Sequence, residues 1–510
     1  MHGGDELRVA DVVRTHAASR GDHVAVRHGE AALTYAQLDE RSNRLANAVL
    51  ALGAPPGSRI AYLGRSAPEV VELLFAASKI GAVLVPLNWR LSPPELGAVL
   101  QDSGAPVVVA APPYLEVADG LAAARSVRVV AVGDDYEQML GAHEATDPGG
   151  RGASGDVIVQ MYTSGTTGVP KGVLTTHRNL AAAAETSPYW QFDEDSVSLT
   201  PLPMFHIGGI GWAFLGLWNG ATTILVSEFV AADVLDTFER LRVTNAVLVP
   251  TMLQLLTGVP GAADRDYSAL RSIAYGASPI TTPVLKAALR TFGCSFFGVY
   301  GLTESTGGVV HLEPRDHDPD GPRAHLLRSA GKPLPWVELR VVDPDTGRDV
   351  DRNEVGEVLV RAPNVMAGYF NRPAETAAAL VDGWLRTGDG GYLDDEGYLF
   401  LTDRIKDMIV SGGENVYPIE VEEALAQHPD VADVAVIGVP DERWGETVMA
   451  LVIPRAGAEP RADELVAFAR ERVAGYKLPR VVELVDQLPR TASGKVLKRE
   501  LRERYAAARA

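Results

Sequence analysis

Short apolar runs alternate with amphipathic stretches along most of this chain. Residues 83–86, 107–110, 129–132 and 247–250 are rich in Val and Leu and read as buried strands. Between such runs the period changes. Thr34 is placed to cap a helix whose apolar positions Leu38, Leu45, Ala46, Val49 and Leu50 share one face. Strands that are apolar throughout, interleaved with helices, predict α/β layers with mainly parallel sheets. Residues 143–155 form a polar, Gly-rich link into another apolar run at 157–161. The last hundred residues predict strands at 434–439 and 449–453 and helices at 463–473 and 496–508. A charged joint, Asp403-Arg404-Ile405-Lys406-Asp407, stands between the two apolar blocks.

One segment needs a separate reading. Residues 207–227 carry no charge and could span a bilayer on length alone. Glycines at 208, 209, 211, 216 and 220 interrupt it, and Asn219-Gly220 reads as a turn before the β-branched run 222–226. A helix, a turn and a buried strand account for it better than a transmembrane segment does. At 510 residues the chain is too long for one ordinary core, so at least two domains are expected. A net charge of −19 argues against general nucleic-acid binding. A single cysteine, Cys294, allows no intramolecular disulfide, and the N-terminus carries no cationic, apolar leader, so a cytoplasmic location is expected. From residue 470 onward the balance reverses, with eleven Lys and Arg against five Asp and Glu. That basic end reads first as a solvated helical surface and second as an attractor for an anionic substrate. The sequence leaves the oligomeric state open, a homodimer included.

The chemistry concentrates in five places. Residues 161–172 read Met-Tyr-Thr-Ser-Gly-Thr-Thr-Gly-Val-Pro-Lys-Gly. Gly165 and Gly168 let backbone N–H groups approach an anion, the hydroxyls donate, and Lys171 neutralises charge, which is what a polyphosphate requires. The order is not that of a Walker A loop, which disfavours a kinase or ATPase of that class. Tyr300-Gly301-Leu302-Thr303-Glu304-Ser305 offers a flat ring for a purine and a hard carboxylate oxygen for Mg²⁺. Upstream, Gly276 and Ala277 are small enough to let a ring lie against backbone. Asp389, after a glycine, suits the vicinal hydroxyls of a ribose, although Asp in a turn is common. The fourth place is the charged joint with Ser411-Gly412-Gly413-Glu414-Asn415 beyond it, and the fifth is Leu488-Pro489-Arg490-Thr491-Ala492-Ser493-Gly494-Lys495. Taken singly, Lys495 reads as a solvated surface charge.

In this order and at these separations, the five segments resemble the core motifs of acyl-adenylate-forming enzymes across essentially the whole chain. Bacterial fatty-acyl-CoA synthetases, AMP-forming acyl-CoA ligases, are the nearest likeness. The resemblance implies a large multi-layer N-terminal domain over 1–403, a hinge at 404–406 and a small mobile α+β domain over 407–510. It implies ATP, Mg²⁺ and coenzyme A as co-reactants of a carboxylic acid. Thr163, Ser164, Thr166, Thr167 and Lys171 would hold the ATP phosphates, with Gly165 and Gly168 in the same loop. Gly276, Ala277, Tyr300, Gly301 and Thr303 would surround adenine, Asp389 and Arg404 would hold the ribose, and Glu304 would ligate the metal. Lys495 would bridge the carboxylate and the α-phosphate, so that Lys495, Glu304, Thr163 and His206 form the catalytic set. Lys406 would be the hinge, where many relatives carry Asp. Residues 203–209 resemble the gate segment of acyl-CoA synthetases. His206, Gly209, Trp212, Gly301 and Gly307 would line the acyl pocket; a hydrogen-bonded core histidine is the plain alternative for His206. Arg90, Gly413 and Trp444 would face coenzyme A. Two other readings stay open: an adenylating enzyme that passes its acyl group to an amine or a carrier-protein thiol, and a catalytically silent nucleotide-binding regulator.

Overall fold

The structure, a computed structural model, describes residues 7–507 except 124–126, 151, 164–169, 279, 405–406, 412–413, 442–443 and 491–495. Side chains at 403, 404, 410, 414, 415, 506 and 507 also lie outside the description. Thr34 caps the helix Tyr35–Ala51 reciprocally with Gln37, and Leu38, Leu45, Ala46 and Val49 of that helix are buried, as the sequence pattern predicts. Next to it all residues of the helix Pro68–Ile80 from Val70 to Ile80 are buried. Its two buried charges are paired, Glu72 with Arg41 at 2.7 Å and Lys79 with Asp39 at 2.6 Å, as burial of a charge requires. One large core cluster packs this helix against strands of two sheets.

The first sheet has nine strands and the second seven. In the nine-stranded sheet, Ser295–Leu302, Ser272–Gly276, Asn245–Leu248, Val197–Thr200, Thr222–Leu225 and Val24–His28 run parallel in that spatial order. In the seven-stranded sheet, Arg128–Ala131, Val107–Ala110, Arg59–Leu63, Val83–Pro86 and Val157–Thr163 are parallel. The uncharged segment forms the helix Ile207–Trp218 and the strand Thr222–Leu225. Among the described residues, no helix is long and apolar enough to cross a membrane. The run 247–250 divides: Asn245–Leu248 is strand, and Pro250 opens the helix Pro250–Thr257. Proline has no N–H to give a sheet but suits the first turn of a helix.

Residues 338–404 build an antiparallel sheet that the sequence pattern does not single out. Beyond it, Ile409–Ser411, Glu414–Val416, Val431–Asp441, Gly445–Pro454 and Val481–Leu484 form a separate five-stranded sheet with its own apolar cluster. Four of the cations of the basic end are paired inside this smaller unit. Lys498 pairs with Glu422 at 2.9 Å, Arg502 with Asp407 at 2.5 Å, and Lys477 and Arg490 with Glu420 and Asp433. Across to the larger body, Arg328 meets Glu423 at 2.5 Å. Burial raises the Glu423 carboxyl above its usual range, against the pull of Arg328.

Candidate active site

Ligands of open α/β sheets bind beyond the carboxyl ends of the parallel strands. Four of the five segments meet the described structure there or next to it. Val157–Thr163 and Lys171–Thr176 pair antiparallel, with Thr163 opposite Lys171 at the neck of the loop. Ser164, Gly165, Thr166, Thr167 and Gly168 lie in the loop itself, outside the described residues. A third, short strand, Gly368–Tyr369, pairs with the second, Tyr369 opposite Val173. Through this strand the hairpin reaches Glu304. The Tyr369 hydroxyl donates to Glu304 Oε1 at 2.9 Å, and the Lys171 ammonium sits 5.1 Å from the centre of the Tyr369 ring.

Glu304 occupies the turn between Ser295–Leu302 and Gly307–Leu312. Ser305 closes that turn: its hydroxyl accepts from Leu302 N–H at 2.9 Å and donates to the Gly307 carbonyl at 2.8 Å. Asn364 holds it from outside by donating to the Ser305 carbonyl at 2.7 Å, and Met366 N–H donates to the Glu304 carbonyl at 2.8 Å. Gly301 lies where a Cβ would stand 1.9 Å from the Gly307 carbonyl oxygen, so only glycine lets the two strands close. Gly307 itself has a φ of +100°. Thr306, β-branched and left-handed at φ +48°, is an outlier held by this packing, and its buried hydroxyl has no partner among the described residues. Thr303 is half-buried in the same turn.

Gly276 ends its strand with room for no side chain: a Cβ would meet the Val299 carbonyl oxygen at 2.2 Å. Ala277 follows in the left-handed region at φ +67°. Together they present bare backbone beside Val299 and Tyr300. The Tyr300 hydroxyl donates to Asp389 Oδ2 at 2.9 Å. Asp389 follows Gly388, at φ +70°, and its N–H donates to Thr387 Oγ1 at 3.1 Å. In the antiparallel register Asp389 lies opposite Arg404, whose side chain is outside the description, as are Lys406, Gly413 and Lys495 entirely.

His206 precedes the helix Ile207–Trp218, its ring 4.5 Å from that of Phe205. Burial, reinforced by the positive charge of Arg90, pushes its pKa down to about 4, so the imidazole is neutral at physiological pH. Its Nε2 is shut from solvent with no partner among the described residues. Gly209 packs closely on backbone, since a Cβ there would lie 2.2 Å from the Pro203 carbonyl oxygen. Trp212 is buried, stacked on Trp190 at 5.7 Å and edge-on to Phe192 at 5.1 Å. Trp190 in turn lies close to Gly308, beside Gly307. Arg90 stacks over Trp89 at 4.7 Å in the large body, whereas Trp444 in the small one lies beneath Arg480 at 4.3 Å.

The donor set fits Mg²⁺ brought in on a triphosphate. No group of three His, Cys, Asp or Glu that could hold a metal forms among the described residues. Glu304 Oε2 accepts no hydrogen bond from them, which leaves one hard oxygen for an ion that takes its other ligands from phosphate and water. The residue that sequence reasoning misses is Tyr369. Its only local signal is an aromatic between glycine and an Asn-Arg-Pro turn, too common to single out.

The chain is similar to known proteins over nearly its whole length. Residues 13–370 match the AMP-binding enzyme family, and residues 420–495 match the AMP-binding enzyme C-terminal domain. The fatty acid–[acyl-carrier-protein] ligase ScoC of Streptomyces coeruleorubidus is 42% identical over 479 residues, 93% of this chain and 92% of its own. A feruloyl-CoA synthase of Amycolatopsis sp. is 44% identical over 490 residues, 94% of this chain and 96% of its own. The crystal structure of ATP-bound MatB from Rhodopseudomonas palustris superposes with a TM-score of 0.91 at 29% identity, covering 99% of this chain and all of that one, 100%.

Proposed function

Since the chain belongs to the AMP-binding enzyme family, we propose that it is an ATP- and Mg²⁺-dependent ligase that activates a carboxylic acid as its acyl-adenylate and passes the acyl group to coenzyme A. One observation carries this reading: Tyr369 joins the neck of the phosphate hairpin at Lys171 to the acidic turn at Glu304. This tie between Lys171, which faces Thr163 across the hairpin, and Glu304 supports a triphosphate site at that point.

A carboxylate is a poor electrophile. In the first half-reaction its oxygen attacks the α-phosphorus of ATP, the bond to the β-phosphate oxygen breaks, and pyrophosphate leaves. Mg²⁺, held by Glu304, would neutralise charge on the phosphates. Thr163 and Lys171 would orient the phosphates, Asp389 and Arg404 the ribose, and Tyr300 with Gly276 and Ala277 the adenine. Lys495 would stabilise the negative charge gathering at the α-phosphate. In the second half-reaction a thiol sulfur attacks the acyl carbon, loses its proton, and AMP leaves. Rotation about the hinge at Lys406 would withdraw Lys495 and present the face carrying Gly413 and Trp444. A neutral His206 suits an apolar acyl entrance, where a fixed cation would trap the carboxylate.

For the acid we favour a medium- or long-chain fatty acid, supported by the fatty-acid ligase among the relatives. The same relative supports a second reading, in which the acceptor is a carrier-protein thiol. A panel from acetate to palmitate, with benzoate, malonate and ferulate, tests both points. Pyrophosphate release is followed with ATP and Mg²⁺, with and without CoA or a pantetheinylated carrier protein. We expect kcat/KM to rise to at least octanoate, because each buried methylene contributes about 0.8 kcal/mol. A maximum at ferulate, benzoate, malonate or acetate overturns the fatty-acid reading. Adenylate formation that CoA never discharges overturns CoA as the acceptor.

A further inference from the structure

Tyr369 stands between two charges of opposite sign that do not pair. Its hydroxyl donates to Glu304 Oε1 at 2.9 Å, while its ring face receives the Lys171 ammonium at 5.1 Å. Among the described residues Lys171 and Glu304 form no ion pair with each other; both meet Tyr369 instead. An ammonium and a carboxylate that share one tyrosine are opposite charges that attract across it. Closure would cancel the charge a metal needs and the charge a phosphate needs in one step. The ring gives the ammonium an alternative, weaker partner in its quadrupole. A phenol is a neutral donor, so it fixes the carboxylate without neutralising it and leaves Oε2 open.

The backbone around Tyr369 is clamped as a supporting group requires. Tyr369 pairs with Val173 on the hairpin strand, and Phe370 N–H donates to the Gly172 carbonyl at 2.8 Å. Tyr369 N–H donates to Thr376 Oγ1 at 2.9 Å, and that hydroxyl donates to the Arg372 carbonyl at 2.8 Å. The helix Pro373–Ala379 thereby anchors the tyrosine. Gly368, at φ +144°, packs where a Cβ would lie 2.7 Å from the Thr376 methyl, so the approach of that helix depends on glycine.

We propose that Tyr369 is a positioning residue: it orients Glu304 toward an incoming metal–nucleotide and keeps Lys171 from closing on Glu304, so that both charges stay available to the ligand. The proposal rests on the ligase reading above. It assigns two separable jobs, one to the hydroxyl and one to the ring.

Tyr369→Phe removes the first job and Tyr369→Ala removes both. The test is binding rather than turnover. Mn²⁺ affinity is measured by electron paramagnetic resonance on the complex with α,β-methylene-ATP, and affinity for the same analogue in EDTA is measured by calorimetry. For Tyr369→Phe we expect Mn²⁺ affinity to fall about tenfold, the usual size for losing a group that supports a metal ligand. Analogue affinity in EDTA should stay within about twofold, because the ring still holds Lys171. For Tyr369→Ala both affinities should fall. In a Glu304→Gln background, Tyr369→Phe should have no further effect on Mn²⁺, since it acts through that carboxylate. If Glu304→Gln weakens Mn²⁺ binding but Tyr369→Phe does not, the positioning role falls and the ligase reading stands. Equal losses with and without metal in Tyr369→Phe mark a general structural role and also overturn it. If Glu304→Gln binds Mn²⁺ like the wild type, Glu304 is not the metal ligand and the positioning role falls with it.

Discussion

Lys495 is the residue at which the two proposed half-reactions separate. Its charge helps only while negative charge gathers on the α-phosphate. Lys495→Ala should therefore lower acyl-adenylate formation by roughly 10²–10³, the cost of losing one preorganised electrostatic group. Thioester formation from supplied acyl-adenylate should be largely kept; equal loss in both assays would remove Lys495 from this role. At the same scale, some residues announce their chemistry in the sequence and others do not. Lys171, Tyr300, Glu304 and Asp389 stand in ordered motifs and are legible from the sequence alone. Tyr369 is not, because its importance lies in what it touches 65 residues away in sequence. The resemblance implies that Gly209 lines the acyl pocket, and the structure sets it against the backbone of Leu202 and Pro203. A missing side chain looks the same in a sequence whether it makes room for a ligand or for a neighbouring strand.

Among the elements, the hairpin formed by Ser295–Leu302 and Gly307–Leu312 carries Tyr300 and Gly301 and holds Glu304 in its turn. Its closure depends on Gly301, where a Cβ would stand 1.9 Å from the Gly307 carbonyl oxygen. Gly301→Ala should force the strands apart and destabilise the protein by about 1–3 kcal/mol, the ordinary range for overpacking. Urea denaturation measures the loss, and the shifted Glu304 turn should weaken ATP binding as well. A stable variant with unchanged ATP affinity would mean that the hairpin closes some other way. Helices are the more legible elements here. The Thr34 cap with its reciprocal Gln37 partner is a local signal, complete within four residues. The antiparallel sheet over 338–404 escapes a sequence reading because its short strands are mixed in polarity and its order is set by long-range pairing.

For the whole molecule, acid stability follows from histidines that desolvation holds neutral, three of them far below their ordinary value. Burial pushes His177, His206 and His317 each down to about 4, from an ordinary value near 6.5. The neutral ring of His177 accepts from Val9 N–H at 3.2 Å through Nδ1. His317 Nδ1 lies 2.8 Å from the Glu313 carbonyl, so it carries the proton, and Nε2 accepts from the Tyr275 hydroxyl at 3.0 Å. With folded values below unfolded ones, the unfolded chain binds more protons between about pH 4 and 6.5. Their contribution is fully present above pH 6.5 and is lost as the pH falls through that window. Tm should therefore decline on acidification from pH 7 to 4.5, with about three protons taken up on unfolding near pH 5. Proton uptake near zero in calorimetry across buffers of different ionisation enthalpy would refute this.

The sequence by itself determined the layered α/β class, the family and the order of its motifs. Those signals are local or ordered along the chain: apolar periodicity, caps, and clusters of hydroxyl, glycine and charge. Tertiary structure alone decided which charges remain free to act. It paired four cations of the basic end with Glu420, Glu422, Asp433 and Asp407, neutralised His206 by desolvation, and set Tyr369 between Lys171 and Glu304. The physical reason is that electrostatics depends on distance and burial in space, and neither can be read from separation along the chain.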